Sequence, residues 1–180
     1  TTCTNKTQEY DPSTNTWSYK TDMPTARWGN AAAEYNGIIY VFAGHDCTAD
    51  TNKCEAFNVT DNSWTTKTDV PANIAQDGLM AITVGSKIYL FWGIYTYEFD
   101  PAGNGGAGSY TLKNSLNPVN IAWTCCAYVT VSGEDRIYLI GGQNLDGGVT
   151  NKNYYYNVSG NTWSSEQTAA PYSALGILRD

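Results

Sequence analysis

Histidine, basic residues and long apolar runs are what this sequence has least of. Its 180 residues hold one His and 10 Lys plus Arg against 17 Asp plus Glu, a net charge of -7. A phosphate backbone demands a basic footprint, so a nucleic-acid partner is excluded. An anionic lipid surface is disfavoured on the same ground. No apolar stretch approaches the ~20 residues of a spanning helix, so no membrane span is expected. His45 stands alone. No Cys/His zinc spacing occurs, and a Ser-His-Asp triad would have only His45 to use. The segment Asp46-Cys47-Thr48-Ala49-Asp50 lacks the Gly and Glu of an EF-hand loop. We therefore expect no metal, no cofactor and no catalysis in this segment. The chain starts at Thr1 rather than Met, which is read as a processing or fragment boundary.

What is abundant is aromatic. Tyr (14) and Trp (6) suit half-buried pleated surfaces. They fall in a repeat. Ile39-Tyr40-Val41-Phe42-Ala43-Gly44 returns as Ile88-Tyr89-Leu90-Phe91-Trp92-Gly93 and as Ile137-Tyr138-Leu139-Ile140-Gly141-Gly142. Each word follows a turn: Asn36-Gly37, Gly85-Ser86 or Ser132-Gly133. Each turn follows another run of apolar or small residues: 31–35, 79–84 and 127–131. Two such runs around a tight turn make a hairpin. A second word is Tyr10-Asp11-Pro12 through Trp17, Phe57-Asn58 through Trp64, and Tyr156-Asn157 through Trp163. An aromatic, a polar turn and a Trp seven residues later make a second hairpin. Pro24, Pro71, Pro118 and Pro171 punctuate the units.

Four strands over about 50 residues is the period of a propeller blade. The combined pattern resembles the kelch family, whose signature is a Gly pair after an Ile-Tyr strand, an aromatic-Asp-Pro turn and a Trp. Gly141-Gly142, Tyr10-Asp11-Pro12, Trp17, Trp64 and Trp163 carry the resemblance. The implied fold is an all-β, kelch-like β-propeller with four-stranded blades. Three units are complete: 24–70, 71–118 and 119–170. Residues 1–23 hold the last two strands of a blade, and 171–180 the first strand of a further one. The chain is expected to be part of a longer propeller, or to complete its blades in trans with other copies. Departures are Ala43-Gly44 and Trp92-Gly93 in place of the Gly pair. In the middle unit an insertion, 102–109, leaves Leu112 where a Trp is expected. The copper site of secreted kelch-type oxidases needs paired histidines, which this chain lacks.

Asn58 and Asn157, each in an Asn-X-Ser/Thr sequon, occupy the turn between third and fourth strands. They are expected to carry N-glycans on one rim, with Asn5 a third acceptor. The competing reading is that Asn serves there only as a turn former. With five cysteines these sequons favour an extracellular or cell-surface setting. Cys47 and Cys54 flank the 45–53 loop at paired strand ends and are the expected disulfide. Cys125 and Cys126 cannot share a strand face. One of them is open to Cys3, the other left free, intermolecular or buried; a vicinal bridge between the two is the strained alternative.

The loops after the Gly words, 45–53 and 143–152, are the expected binding face. The functional expectation is a non-catalytic extracellular interaction protein. Its partners are other protein chains, copies of itself among them. The alternatives are a carbohydrate-binding module and a domain of a larger secreted enzyme.

Overall fold

The apolar alternation in these words builds strands, and the tight turns between them set the register. The computed structural model describes residues 2–114 and 120–169. Pro118, Pro171 and the strand expected at 171–180 lie outside the described residues. The first hairpin pairs β1 (Gln8–Asp11) with β2 (Thr16–Tyr19). The first four-stranded sheet is β3 (Ala31–Tyr35), β4 (Ile38–Phe42), β5 (Cys54–Asn58) and β6 (Ser63–Thr66). The second is β7 (Met80–Val84), β8 (Lys87–Trp92), β9 (Tyr95–Asp100) and β10 (Ser109–Leu112). Further along come β11 (Ile121–Ala122), β12 (Cys125–Val131), β13 (Glu134–Ile140), β14 (Gln143–Asn144), β15 (Asn153–Asn157) and β16 (Thr162–Trp163). The third sheet orders β12-β13-β15-β16, and β11 pairs with β14 beside it. Each four-stranded sheet is an antiparallel meander, the form that short connections dictate. Asn36-Gly37 (φ 52° and 75°) and Ser132-Gly133 (φ 52° and 83°) turn with both residues left-handed. That matches the right-handed twist of the flanking strands.

The sheets stack face to face, and the core lies between them. Tyr40, Phe42, Cys54 and Ala56 of the first sheet bury against Ile88, Leu90 and Phe99 of the second. The opposite face of the second sheet, with Met80, Tyr89 and Phe91, buries against Ile137, Leu139 and Tyr156 of the third. Cross-strand partners share a face, so every blade has one face for each neighbour.

Two glycines show what the Gly words do. Gly44 (φ 99°) and Gly142 (φ 103°) end the second strand of their sheets. A Cβ on Gly44 would stand 2.7 Å from the Trp28 carbonyl oxygen, and one on Gly142 2.8 Å from that of Ala122. Backbone approaches backbone there, which only glycine permits.

The middle unit corrects one expectation. The residue that fills the Trp position is Tyr110, not Leu112. Tyr110 pairs with Phe99 across β9 and β10, as Trp64 pairs with Phe57 and Trp163 with Tyr156. The insertion folds into a helical turn, Gly103–Gly106, with Asn104 and Gly105 left-handed. The turn absorbs the extra residues, so the pairing register starts earlier than the residue count suggested. Leu112 lies two residues further along β10 and is exposed.

Candidate blade junctions and rim loops

At each junction the chemistry is local and repeated. Asn62 and Asn161 are left-handed (φ 51° and 50°) two residues before Trp64 and Trp163. This turns each side chain back toward the preceding sheet. Asn62 Oδ1 accepts the Thr21 N–H at 2.9 Å, and Trp64 Nε1 donates to the Thr21 carbonyl at 2.8 Å. Asn161 Oδ1 accepts the Asn114 N–H at 2.8 Å, and Trp163 Nε1 donates to the Asn114 carbonyl at 3.3 Å. Both polar groups of one residue, just past the previous blade's last strand, are held by the next blade. The middle unit reaches the same result by other means. The Ala107 carbonyl accepts the Thr68 N–H at 2.8 Å, and Tyr110 Oη donates to the Thr68 carbonyl at 3.1 Å.

A second repeat runs along the inner edge. The Gly78 N–H donates to the Gly29 carbonyl, and the Trp123 N–H to the Gly78 carbonyl, each at 3.1 Å. All three residues have positive φ. A Cβ on Gly78 would lie 2.5 Å from the Trp123 indole. Sequence reasoning missed this ladder. Its signal was the spacing of Gly29 and Gly78, 49 residues apart like the Ile-Tyr words.

Inside the first sheet an ion pair is fully enclosed. Arg27 Nη2 lies 3.0 Å from Glu55 Oε2, with both side chains almost without solvent access. Thr25 Oγ1 donates to Glu55 Oε1 at 2.8 Å, and the guanidinium also reaches the Lys53 and Val41 carbonyls at 3.3 Å. Burial pulls the Arg27 pKa below its ordinary value, and Glu55 opposes that. Glu55 Oε2 and Arg27 Nε have no aligned hydrogen bond. The contact is thus a charge pair rather than a fork.

The expected cysteine pairing is corrected. Cys47 bonds Cys3, not Cys54, with Cα atoms 5.9 Å apart. The loop ladder closes at His45 and Asp50, leaving Cys47 at the loop tip. The N-terminal segment runs beside it, with Thr4 bridged to Arg27 and Trp28 to His45. Cys54 is instead a strand residue opposite Phe42, buried between two sheets, and is a free thiol. Burial pushes its pKa up to about 12. Cys125 and Cys126 are also unpaired; Cys125 is exposed and Cys126 partly covered. The pairing of Cys3 with either of them therefore falls.

The rim loops are built from their own polar groups. His45 stacks on Trp28, centroids 5.1 Å apart, and its Nδ1 accepts the Cys47 N–H at 3.0 Å. The Thr48 hydroxyl at 2.5 Å, then the backbone N–H groups of Ala49 and Thr48, hold the Asp46 carboxyl down at about 2. The 143–152 loop is tied at Leu145, whose N–H donates to the Asn120 carbonyl at 2.7 Å. The middle unit has only Gly93-Ile94 at this place, on the same rim.

The expected glycan acceptors sit at the opposite turns. Asn58 Oδ1 accepts from Thr60 and Asp61, while its Nδ2 donates to Asp61 at 2.7 Å. Asn157 Oδ1 accepts the Gly160 N–H at 2.8 Å. Both are turn formers in this geometry, as Asp11 is toward Ser13. Asn5 lies in the N-terminal segment, where its carbonyl accepts from Met23. A cleft of about 290 Å³ opens between that segment and the first sheet, lined by Gln8, Met23, Ile39, Val41, Phe57 and Trp64. Among the described residues no group of three or more His, Cys, Asp or Glu is placed to hold a metal ion. No described helix is long and apolar enough to cross a membrane.

Known proteins share this architecture. The kelch motif matches residues 27–71 and 124–168, two stretches of 45 residues that make half of the chain. No curated protein matches the sequence. Among solved structures, "Structure of YjhT" superposes with a TM-score of 0.73 at 14% identity, over 94% of this chain. The chain spans 66% of that structure's length, just under two thirds. At such identity the likeness is one of fold.

Proposed function

The chain belongs to the kelch-repeat family, and on that footing we propose that it is a non-catalytic extracellular scaffold for binding other protein chains. One observation carries the reading. The Cys3–Cys47 disulfide and the Asp46 turn hold in one shape an exposed loop that follows the second strand of its unit, as the 143–152 loop does in the third. A stiff, pre-shaped loop binds a partner without losing much entropy. A disulfide also suits an oxidising compartment. His45 supports the non-catalytic reading, because its ring and Nδ1 are committed to shaping the loop. N-glycans at Asn58 and Asn157 belong to the same proposal. They would stand on turns away from the binding rim and leave it clear.

The test is peptide mapping of native, non-reduced protein with and without glycosidase. The reading predicts a Cys3–Cys47 linked peptide and a glycosidase-dependent mass change at Asn58 and Asn157. Reduced Cys3 and Cys47 with both asparagines unmodified would remove the extracellular part of the proposal. Photo-crosslinkers at Ala49 and Gly147 should then label a protein partner in the native setting. Labelling from the Asn58 turn but not from these loops would put the binding face elsewhere.

A carbohydrate-binding role is the second reading. It is favoured by the exposed rings of Trp17 and Tyr19, 68% and 74% open to solvent. A glycan array with wild type and Trp17→Ala separates the two.

A further inference from the structure

Two sets of contacts hold the exposed loop after β4. The first lies within the loop and its stem. The Ala43 N–H donates to the Lys53 carbonyl at 3.0 Å, the Thr51 N–H to the Gly44 carbonyl at 2.8 Å and the Asp46 N–H to the Ala49 carbonyl at 2.9 Å. The second set ties the loop tip to the N-terminal segment through the Cys3–Cys47 disulfide, which joins residues 44 apart in sequence. That segment lies against the first unit by its backbone. The Arg27 N–H donates to the Thr4 carbonyl at 3.1 Å and the Met23 N–H to the Asn5 carbonyl at 2.8 Å. Lys6 pairs with Asp22 beside them, and both are exposed to solvent.

The two sulfurs are not equivalent. Cys47 is exposed at the loop tip, whereas Cys3 is half-buried. Cys3 Sγ also lies 3.5 Å from the His45 carbonyl oxygen. A thiolate arriving from solvent therefore meets Cys47 Sγ first. The electron pair of the broken bond then goes to Cys3 Sγ. Once protonated, that sulfur has the His45 carbonyl at hand as an acceptor. The chain's other three cysteines lie elsewhere. Cys54 is buried between the first two sheets, and Cys125 and Cys126 belong to the third. Access to the attacked sulfur governs such exchange, and exposed disulfides are the labile ones.

We infer that Cys47 is a thiol–disulfide exchange site, and that the Cys3–Cys47 bond is a reversible latch on the binding loop. The reductant is an external thiol. Its thiolate attacks Cys47 Sγ and forms a mixed disulfide there, while Cys3 leaves and takes a proton. A dithiol completes the reaction. Its second thiolate attacks its own sulfur in the mixed disulfide, and Cys47 leaves and takes the second proton. Two electrons and two protons pass to the cysteine pair, and the dithiol becomes a disulfide. With a monothiol, the adduct stays on Cys47 when Cys3 is alkylated before it can return. An open latch leaves the loop its own hydrogen bonds but frees its tip from the N-terminal segment. The inference rests on the scaffold reading above and adds a regulation of that same loop.

The test treats the folded, non-reduced full chain with glutathione in rising excess at pH 8, quenches with a maleimide and maps the peptides without reduction. The glutathione adduct is expected on Cys47 with maleimide on Cys3, at least about tenfold over the reverse pattern. Hydrogen exchange is then followed on protein fully reduced by a dithiol. The Arg27 and Met23 amides should exchange about tenfold faster than in the closed form, while those of Ala43 and Thr51 keep their rates. The Cys3→Ser/Cys47→Ser double variant should show the open pattern without any reductant. Adducts on Cys3, or on both sulfurs equally, overturn the exchange site. So does a disulfide that glutathione leaves intact in the folded chain at every excess. Unchanged exchange at Arg27 and Met23 overturns the latch, as does equal acceleration at Ala43 and Thr51. In each of these cases the native disulfide and the scaffold reading stand. Native protein with Cys3 and Cys47 already reduced overturns the latch together with the extracellular part of that reading.

Discussion

The indole N–H of Trp64 donates to the carbonyl oxygen of Thr21, 43 residues earlier, at 2.8 Å across the gap between two sheets. The Thr21 N–H in turn donates to Asn62. Both backbone polar groups of one residue in one blade are thus held by the next. Backbone groups at a sheet margin have no ladder partner, so a neighbouring side chain that satisfies them ties blade to blade. Such hydrogen bonds are individually worth about 1 kcal/mol net. Their value here is that they fix the angle at which aromatic faces meet.

Trp64→Phe keeps most of the ring area and removes the donor. We expect a loss of about 1 kcal/mol, seen as a lower denaturation midpoint in urea with unchanged slope. Asn62→Ala loses the acceptor and also strains the left-handed turn, so its cost should be larger, about 2 kcal/mol. Asn62→Gly relieves the strain and should fall between the two. If Asn62→Ala cost nothing, the clamp would be ornamental.

Gly44→Ala places a methyl 2.7 Å from the Trp28 carbonyl at φ 99°. Both crowding and backbone strain oppose it, and a loss of at least about 2 kcal/mol is expected. Gly37→Ala, in an open turn with no atom within 4 Å of the added carbon, should cost about 1 kcal/mol from φ alone. Thermal melts of the two variants, compared directly, separate packing from strain.

The buried Arg27–Glu55 pair should respond very differently to losing one partner and to losing both. Glu55→Gln leaves the guanidinium charge uncompensated and should cost about 3 kcal/mol. Replacing both by Leu should be close to neutral, because two desolvated charges vanish together. Arg27→Leu, Glu55→Leu and the double Leu variant form a cycle whose coupling energy measures the pair.

Thiol chemistry should be graded by burial. At pH 8 a maleimide should modify Cys125 promptly. Cys54 and Cys126, pushed up to about 12 and about 11 mainly by burial, stay protonated and covered. A raised thiol pKa means less thiolate at a given pH, so both should react only after unfolding. Rapid native labelling of Cys54 would contradict its place between the first two sheets.

Asp46 has a depressed folded-state pKa of about 2 against 3.8 for a free carboxyl. Its contribution to loop order is therefore complete above the unfolded value and is lost as pH falls through about 2. The amide shifts of Thr48 and Ala49, followed by NMR, should hold steady from pH 7 to about 4 and move only below about 3. Movement centred near pH 4 would mean that the hydrogen bonds to Asp46 are absent in solution.

The fold was legible because its strongest demands fall on few residue types. Gly44 and Gly142 meet a steric limit that no other residue meets, so Gly recurs at that place. The aromatic pairs recur because each fills the same gap between twisted sheets. The clamp was written in the same words, since Asn15, Asn62 and Asn161 each precede a Trp by two residues. Its role was missed because an Asn in a turn is also explained by the turn alone. Tyr110 escaped because spacing along the chain does not reveal how an inserted turn is absorbed. The disulfide escaped for a similar reason. Cys3 and Cys47 are far apart in sequence, and their approach depends on the N-terminal segment lying beside Trp28 and His45. Cys54 looked like the partner by proximity, yet its side chain belongs to the sheet face.

The account turns on one statement: the indoles of Trp64 and Trp163 each clamp a residue of the preceding blade, while Trp17, at the same place in the first hairpin, is exposed. Oxidative footprinting of the three equivalent tryptophans in the native chain tests it most directly. In dilute protein, Trp17 should be oxidised readily while Trp64 and Trp163 are protected. Equal labelling of all three would contradict the account.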